Sequence, residues 1–162
     1  YLYTLIKDYD PATSLREVNL IQNYSSLIKE KLKVCDVMPN LLRLRAARNN
    51  VPWYVVSAAY EKELIEVFDF KKISKCFDGG IYGSPPTKYQ IINDLKSKGN
   101  LEERCLFIGD SLSDFNVANH FRFDFIFMAQ WSAEPIEKIQ ELRSATTVFD
   151  SFSQLDEIFS LD

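Results

Sequence analysis

Two aspartates four residues apart, Asp110 and Asp114, follow the apolar run Cys105-Leu106-Phe107-Ile108 and Gly109. So short and apolar a run suits a strand buried on both faces of a parallel sheet. In open α/β sheets ligands bind outside the carboxyl ends of the strands, which is where these acids would stand. A pair of carboxylates there suits Mg²⁺, which takes one or two carboxylates together with water and phosphate oxygens. A plain structural reading competes with it: a turn whose acids cap the next helix. The stretch alone leaves both open.

Two further junctions carry polar groups. Ser57 follows the apolar, partly β-branched run Trp53 to Val56 and offers a hydroxyl. If the next helix begins near Ala59, the N–H groups of Ala58 and Ala59 also face an anion. Taken alone, Ser57 reads better as a helix N-cap. Lys88 opens a helix after Gly83-Ser84-Pro85-Pro86-Thr87, a loop stiffened by two prolines. An ammonium held there would neutralise a phosphate or carboxylate as a point charge; taken alone it is one surface lysine among many. Each part is weak. The order Ser, Lys, then Gly-Asp-x-x-x-Asp, each at a strand or helix junction, is specific in combination.

The elements that must position these groups are readable from periodicity. Leu20 to Leu32 has helical apolar spacing, and Pro39 precedes a helix from Leu41 to Arg48 that Asn49-Asn50 ends. From Val51 strands and helices alternate: strand Trp53 to Val56, helix Tyr60 to Phe68, a short strand at Ile81-Tyr82, and helix Lys88 to Lys98 ended by Gly99. The acid-bearing strand comes next, then a helix through Val117 and Ala118 and a strand at Phe125 to Met128. A helix from Ala133 to Ser144, a strand at Thr147 to Phe149 and a helix from Ser153 to Phe159 close the chain. This order predicts an α/β fold with a doubly wound parallel sheet.

Totals narrow the function. The 162 residues fit one domain with a real core, and 46% apolar with 26% charged residues is ordinary for a soluble globular protein. A net charge of −4 argues against a nucleic-acid binder that neutralises phosphates. No apolar stretch approaches membrane-spanning length, and the first residues lack signal-peptide order. Cys35, Cys76 and Cys105 are scattered without metal-ligand spacing, so reduced thiols and a cytoplasmic location are expected. His120 is the single histidine and reads as a helix-end or surface residue. The phenylalanines at 121, 123, 125 and 127 read as core packing, and Tyr82 and Trp131 are candidates to line a pocket.

In combination the residues resemble the haloacid dehalogenase (HAD) superfamily of phosphatases, over about Met38 to Met128. Val55-Val56-Ser57 is similar to the second motif, whose Ser or Thr hydrogen-bonds the substrate phosphate. Lys88 is similar to the third-motif lysine, and Ile108 to Asp114 to the fourth motif, whose acids hold Mg²⁺. Met38-Pro39-Asn40-Leu41-Leu42 resembles the return from the helical cap of phosphoglycolate-phosphatase-like members, which makes Leu20 to Leu32 the last cap helix. The resemblance implies a HAD-like Rossmannoid core at residues 37–162 behind a partial helical cap at 1–36. It also implies a Mg²⁺-dependent phosphatase of a small phosphorylated metabolite, working through an aspartyl phosphate. Ser57, Lys88, Asp110 and Asp114 are its expected catalytic residues, with Ser57, Ala58 and Lys88 on the phosphate.

The family nucleophile belongs to an Asp-x-Asp pair after a first strand. Only Asp8-Tyr9-Asp10 has that spacing here, behind Tyr1 to Ile6; Lys7 interrupts the apolar run, and Pro11-Ala12 stands where Gly-Thr or Gly-Val is usual. The favoured reading makes Tyr1 to Ile6 a cap helix, Asp8 to Asp10 a surface loop, and the chain a fragment without its attacking carboxylate. The alternatives are a divergent nucleophile at Asp8, an inactive HAD-like domain that binds a phosphorylated ligand or protein partner, and an unrelated flavodoxin-like or receiver-like domain.

Overall fold

Alternating β-branched and helical segments fold into parallel strands joined by helices in a computed structural model that describes residues 26–27, 29–38, 40–151 and 153–155. In chain order these are α1 (Leu41–Ala47), β1 (Tyr54–Tyr60), α2 (Glu61–Phe70), β2 (Gly80–Ser84), α3 (Lys88–Ser97), β3 (Leu106–Gly109), α4 (Leu112–Phe121), β4 (Asp124–Met128), α5 (Ile136–Arg143) and β5 (Thr147–Phe149). Single 3₁₀ turns stand at Ser74–Cys76 and Ala129–Trp131. Residues 29–34 are helical, as are 153–155. The expected cap helix and the last helix are thus described in part, and Tyr1 to Ile6, Asp8 to Asp10 and Pro39 lie outside the described residues.

The pairing is parallel throughout, but it forms two sheets rather than one. β1 pairs with β2, and β3-β4-β5 form the second sheet in that order. The two lie side by side. The Tyr54 hydroxyl at the start of β1 donates to the Asn100 carbonyl on the approach to β3. Trp53 packs against a core cluster of Leu44, Ile126, Met128, Phe149 and Leu155. β1 is therefore the strand of the first sheet that faces the second. Among the described residues, no strand pairs with its second edge or with that of β3.

Two expectations are corrected here. The acid-bearing strand is not buried on both faces: Leu106 is 44% and Ile108 40% exposed. β4 is the strand with that character, its Phe125 to Met128 all buried, because it has a neighbour on each side. The first strand does not stop at Val56 but runs to Tyr60, and the helix starts at Glu61. Between the pairs Val56↔Tyr82 and Tyr60↔Ser84 the register slips, four steps on β1 against two on β2. Ser57, Ala58 and Ala59 form that bulge, and Ser57 Oγ accepts from Ala59 N–H at 3.1 Å, a local bond that competes with helix formation.

Elsewhere sequence and structure agree closely. β5 spans Thr147–Phe149, and Gly99, at φ +71°, follows the end of α3. β2 is longer than Ile81-Tyr82, and α5 begins only at Ile136 because Pro135 holds the N-cap. α1 is clasped to the first sheet by Arg45, which donates to the carbonyls of Arg48 (2.6 Å) and Val51 (3.1 Å) and to Asp78 Oδ2 (2.6 Å). Asp78 Oδ1 accepts from Trp53 N–H at 3.0 Å, which, with the Arg45 guanidinium, holds the Asp78 carboxyl below its usual range.

Candidate active site

α3 and α4 open next to one another at the carboxyl ends of β2 and β3, and each start is fixed by its own side chains. Thr87 and Gln90 make a capping box: Gln90 N–H donates to Thr87 Oγ1 at 3.3 Å, and Thr87 N–H to Gln90 Oε1 at 2.9 Å. That places Lys88 as the first helical residue. α4 starts from Ser111, whose Oγ accepts from Asp114 N–H at 3.2 Å and donates to Asp114 Oδ2 at 2.7 Å.

The two starts are joined by an ion pair between Lys88 Nζ and Asp114 Oδ1, with side chains 16% and 7% exposed. Because Lys88 follows β2 and Asp114 follows β3, this contact sets the carboxyl ends of both sheets together. Asp114 is the buried charged residue among those described. A buried carboxylate is tolerable only when paired and hydrogen-bonded, and Lys88 and Ser111 supply both. Asp110 differs: it is half-buried, and no hydrogen bond or ion pair joins it to the described residues. Lys88, Asp110 and Asp114 therefore carry one uncompensated negative charge.

Gly109 is required by this geometry rather than by its φ. A Cβ there would run into the Asp114 side chain, with Cγ only 2.6 Å away. The close approach of strand end to helix start is what seats Asp114 over β3.

The competing readings of the first aspartate now separate. The cap of α4 is Ser111, so Asp110 is not spent on capping. Ser57 is not an N-cap either: that position belongs to Tyr60, and Ser57 sits in the β1 bulge at the same end of the fold. Bulges beside functional sites commonly re-aim a side chain. The helix start expected near Ala59 is corrected: Ala58 and Ala59 lie in the strand, α2 begins at Glu61, and Ala59 N–H donates to Ser57 Oγ. Lys88 and Asp114 are in contact, and Asp110 stands four residues before Asp114 in the chain, whereas no hydrogen bond joins Ser57 to that pair.

Sequence reasoning passed over Ser111 and Glu134. Ser111 was legible in the pattern Ser-x-x-Asp at a helix start. Glu134, whose Oε1 accepts from Leu112 N–H at 3.0 Å across 22 residues, leaves no local signal. Tyr82 lines a cleft of about 530 Å³ with Glu61, Pro85 and Pro86, but Ser57, Lys88, Asp110 and Asp114 do not line it. Trp131 is exposed, and His120 packs edge-on against Tyr89 and Phe121. Cys35, Cys76 and Cys105 are all free. No helix of the described residues is long and apolar enough to cross a membrane.

Comparison with protein-family models and with curated proteins finds no match. Solved structures do match. A haloacid dehalogenase-like hydrolase from Streptococcus pneumoniae shares 16% identity over 96% of this chain and 75% of its own, with a TM-score of 0.67. A candidate phosphatase from Clostridium difficile shares 14% over 97% and 75%, with a TM-score of 0.71. A candidate phosphoglycolate phosphatase from Lactobacillus delbrueckii shares 20% over 93% of this chain but 64% of its own, with a TM-score of 0.64. The chain has the fold of the haloacid dehalogenase-like hydrolases.

Proposed function

We propose that this chain carries the magnesium- and phosphate-binding half of a HAD-type phosphomonoesterase acting on a small phosphorylated metabolite. The observation that supports this best is the largely buried Lys88–Asp114 pair, at the meeting point of two sheet ends, with Asp110 four residues before Asp114 and without a partner among the described residues. Asp110 and Asp114 fit a divalent cation. Asp110 has an uncompensated charge, and each Asp114 oxygen keeps a lone pair beyond its one contact. When bound, Mg²⁺ would offset charge on the transferring phosphoryl group. Lys88 would add its ammonium on the same side, and Ser57 would exchange its bond to Ala59 for one to a phosphate oxygen.

No described carboxylate stands where it would attack. The open edges of β1 and β3 suit one further parallel strand between them, which would cover Leu106 and Ile108 and bring an attacking aspartate level with Asp110. On this reading the phosphoryl group would pass from the substrate's ester oxygen to that aspartate, releasing the alcohol, and water would then hydrolyse the acyl phosphate to phosphate and the free carboxylate. Residues 1–36 would be what is present of a helical cap; its described part lies along α2, with Lys29 paired to Glu66 at 2.7 Å. The −4 charge suits a small substrate rather than nucleic acid or an anionic membrane, and the free thiols suit the cytoplasm.

The test is Mg²⁺-dependent release of phosphate from an aryl phosphate by the full-length protein. Asp110→Asn should reduce the rate by at least about 100-fold, given how much of phosphoryl transfer is electrostatic. Turnover that survives both metal removal and Asp110→Asn would sink the proposal. Binding of a phosphorylated ligand without turnover would favour an inactive HAD-like domain instead.

A further inference from the structure

The loop after β4 reaches back to the turn that joins the two carboxylates. Glu134 Oε1 accepts from Leu112 N–H at 3.0 Å, and Glu134 N–H donates to Ser132 Oγ at 3.0 Å. Leu112 opens α4, so its N–H is one of those a helix start leaves without an intrahelical partner. It also lies midway between Asp110 and Asp114 in the chain. Ser111 satisfies the N–H of Asp114 and Glu134 satisfies that of Leu112, so the turn is held from inside and from a separate loop. A carboxylate at a helix N-terminus is electrostatically favoured, which suits Glu134 to the start of α4. Among the described residues no three His, Cys, Asp or Glu side chains are grouped to hold a metal, so Glu134 is not a third ligand. Its influence runs through the backbone.

We propose that Glu134 is a positioning residue for the Asp110–Asp114 pair. By accepting the Leu112 N–H it fixes the turn that sets the spacing of the two carboxylates, and so raises their affinity for a divalent cation. This rests on the metal-binding reading of Asp110 and Asp114 given above.

The experiment titrates Mn²⁺ alone into the full-length protein and follows free Mn²⁺ by electron paramagnetic resonance, without substrate. Asp110→Asn should abolish binding. Glu134→Ala should weaken it by about 10- to 100-fold, the usual cost of losing a group that orients a metal ligand. Glu134→Gln keeps an oxygen acceptor and should bind nearly as the unmodified protein does. Hydrogen exchange at the Leu112 amide should quicken in Glu134→Ala and not in Glu134→Gln. Should Glu134→Ala fail to fold, Glu134→Asp, one methylene short of the N–H, carries the same comparison. If the unmodified protein binds no Mn²⁺, or Asp110→Asn binds it equally, the metal reading falls and this role with it. If those two behave as expected while Glu134→Ala binds normally, the metal site stands and the role of Glu134 is overturned. A loss in Glu134→Gln as large as in Glu134→Ala would also overturn it, by making charge rather than the hydrogen bond responsible.

Discussion

β3 and β4 run side by side in parallel, paired from Leu106↔Asp124 to Gly109↔Phe127, yet their apolar residues meet opposite fates. Phe127 is fully buried in β4, while Leu106 and Ile108 in β3 keep two-fifths or more of their surface in solvent. Both strands are apolar, so composition does not explain the difference. β4 has a strand on each side and helices packed over it, whereas β3 has one described neighbour and faces the open edge of β1. Burying a side chain of this size stabilises by about 1.5–3 kcal/mol, so two half-exposed aliphatics on an unpaired edge leave stabilisation unclaimed. An exposed apolar edge is also a liability that proteins normally cover or charge. Among the described residues, the contrast locates an unpaired strand edge just before the carboxylates.

Truncating each strand in turn puts that contrast to the test. Phe127→Ala should cost about 3–5 kcal/mol in urea unfolding, as for any large aromatic removed from a close-packed site. Ile108→Ala should cost under about 1 kcal/mol in this 162-residue chain. A cost for Ile108→Ala as large as that for Phe127→Ala would remove the contrast between an open β3 edge and a covered β4.

The junction of the sheets comes next in size. Lys88→Met leaves the Asp114 carboxylate buried without its cation, at a cost of about 3 kcal/mol. Adding Asp114→Asn should recover most of it. An unfolding midpoint that Lys88→Met leaves in place would mean that the pair does not tie the sheets together.

The smallest effect concerns the entry to the first sheet. The Asp78 carboxyl is held below its usual range, first by the Trp53 N–H and then by Arg45. A lowered folded value means that Asp78 stabilises the fold above its unfolded value, near pH 4, and that this is lost as pH falls through the folded one. The midpoint difference between the unmodified protein and Asp78→Asn should therefore shrink between about pH 6 and pH 3. A constant difference would show that the Trp53 and Arg45 contacts do not depend on the charge.

What could be read in advance follows the range of the interactions. Thr147–Phe149 as a strand, Lys88 at a helix start and Gly99 after its end rest on propensity, capping and backbone freedom, all local properties. The placement of Lys88 and Asp114 at helix starts, and of Asp110 just past the end of β3, was legible for the same reason, as was the likeness in fold to haloacid dehalogenase-like proteins. The end of β1 was not. Val55-Val56-Ser57-Ala58-Ala59 suits a strand turning into a helix, and only the pairing of Tyr60 with Ser84 carries the strand past a bulge.

The sequence by itself determined the residue types of the candidate site, the alternation of parallel strands and helices, and the two turns that start α3 and α4. Only the tertiary structure decided that Lys88 is committed to Asp114 while Asp110 has no partner among the described residues. It also decided that Gly109 is needed for the close approach of Asp114, and that Glu134 holds the turn from 22 residues away. Pairing choices and burial depend on which groups the fold brings together, and a chain read residue by residue carries no record of distance in space. The exposure of Leu106 and Ile108 is the same kind of fact: their apolar character is written in the chain, but how much of them stays in solvent is set by the position of β3 at a sheet edge among the described residues.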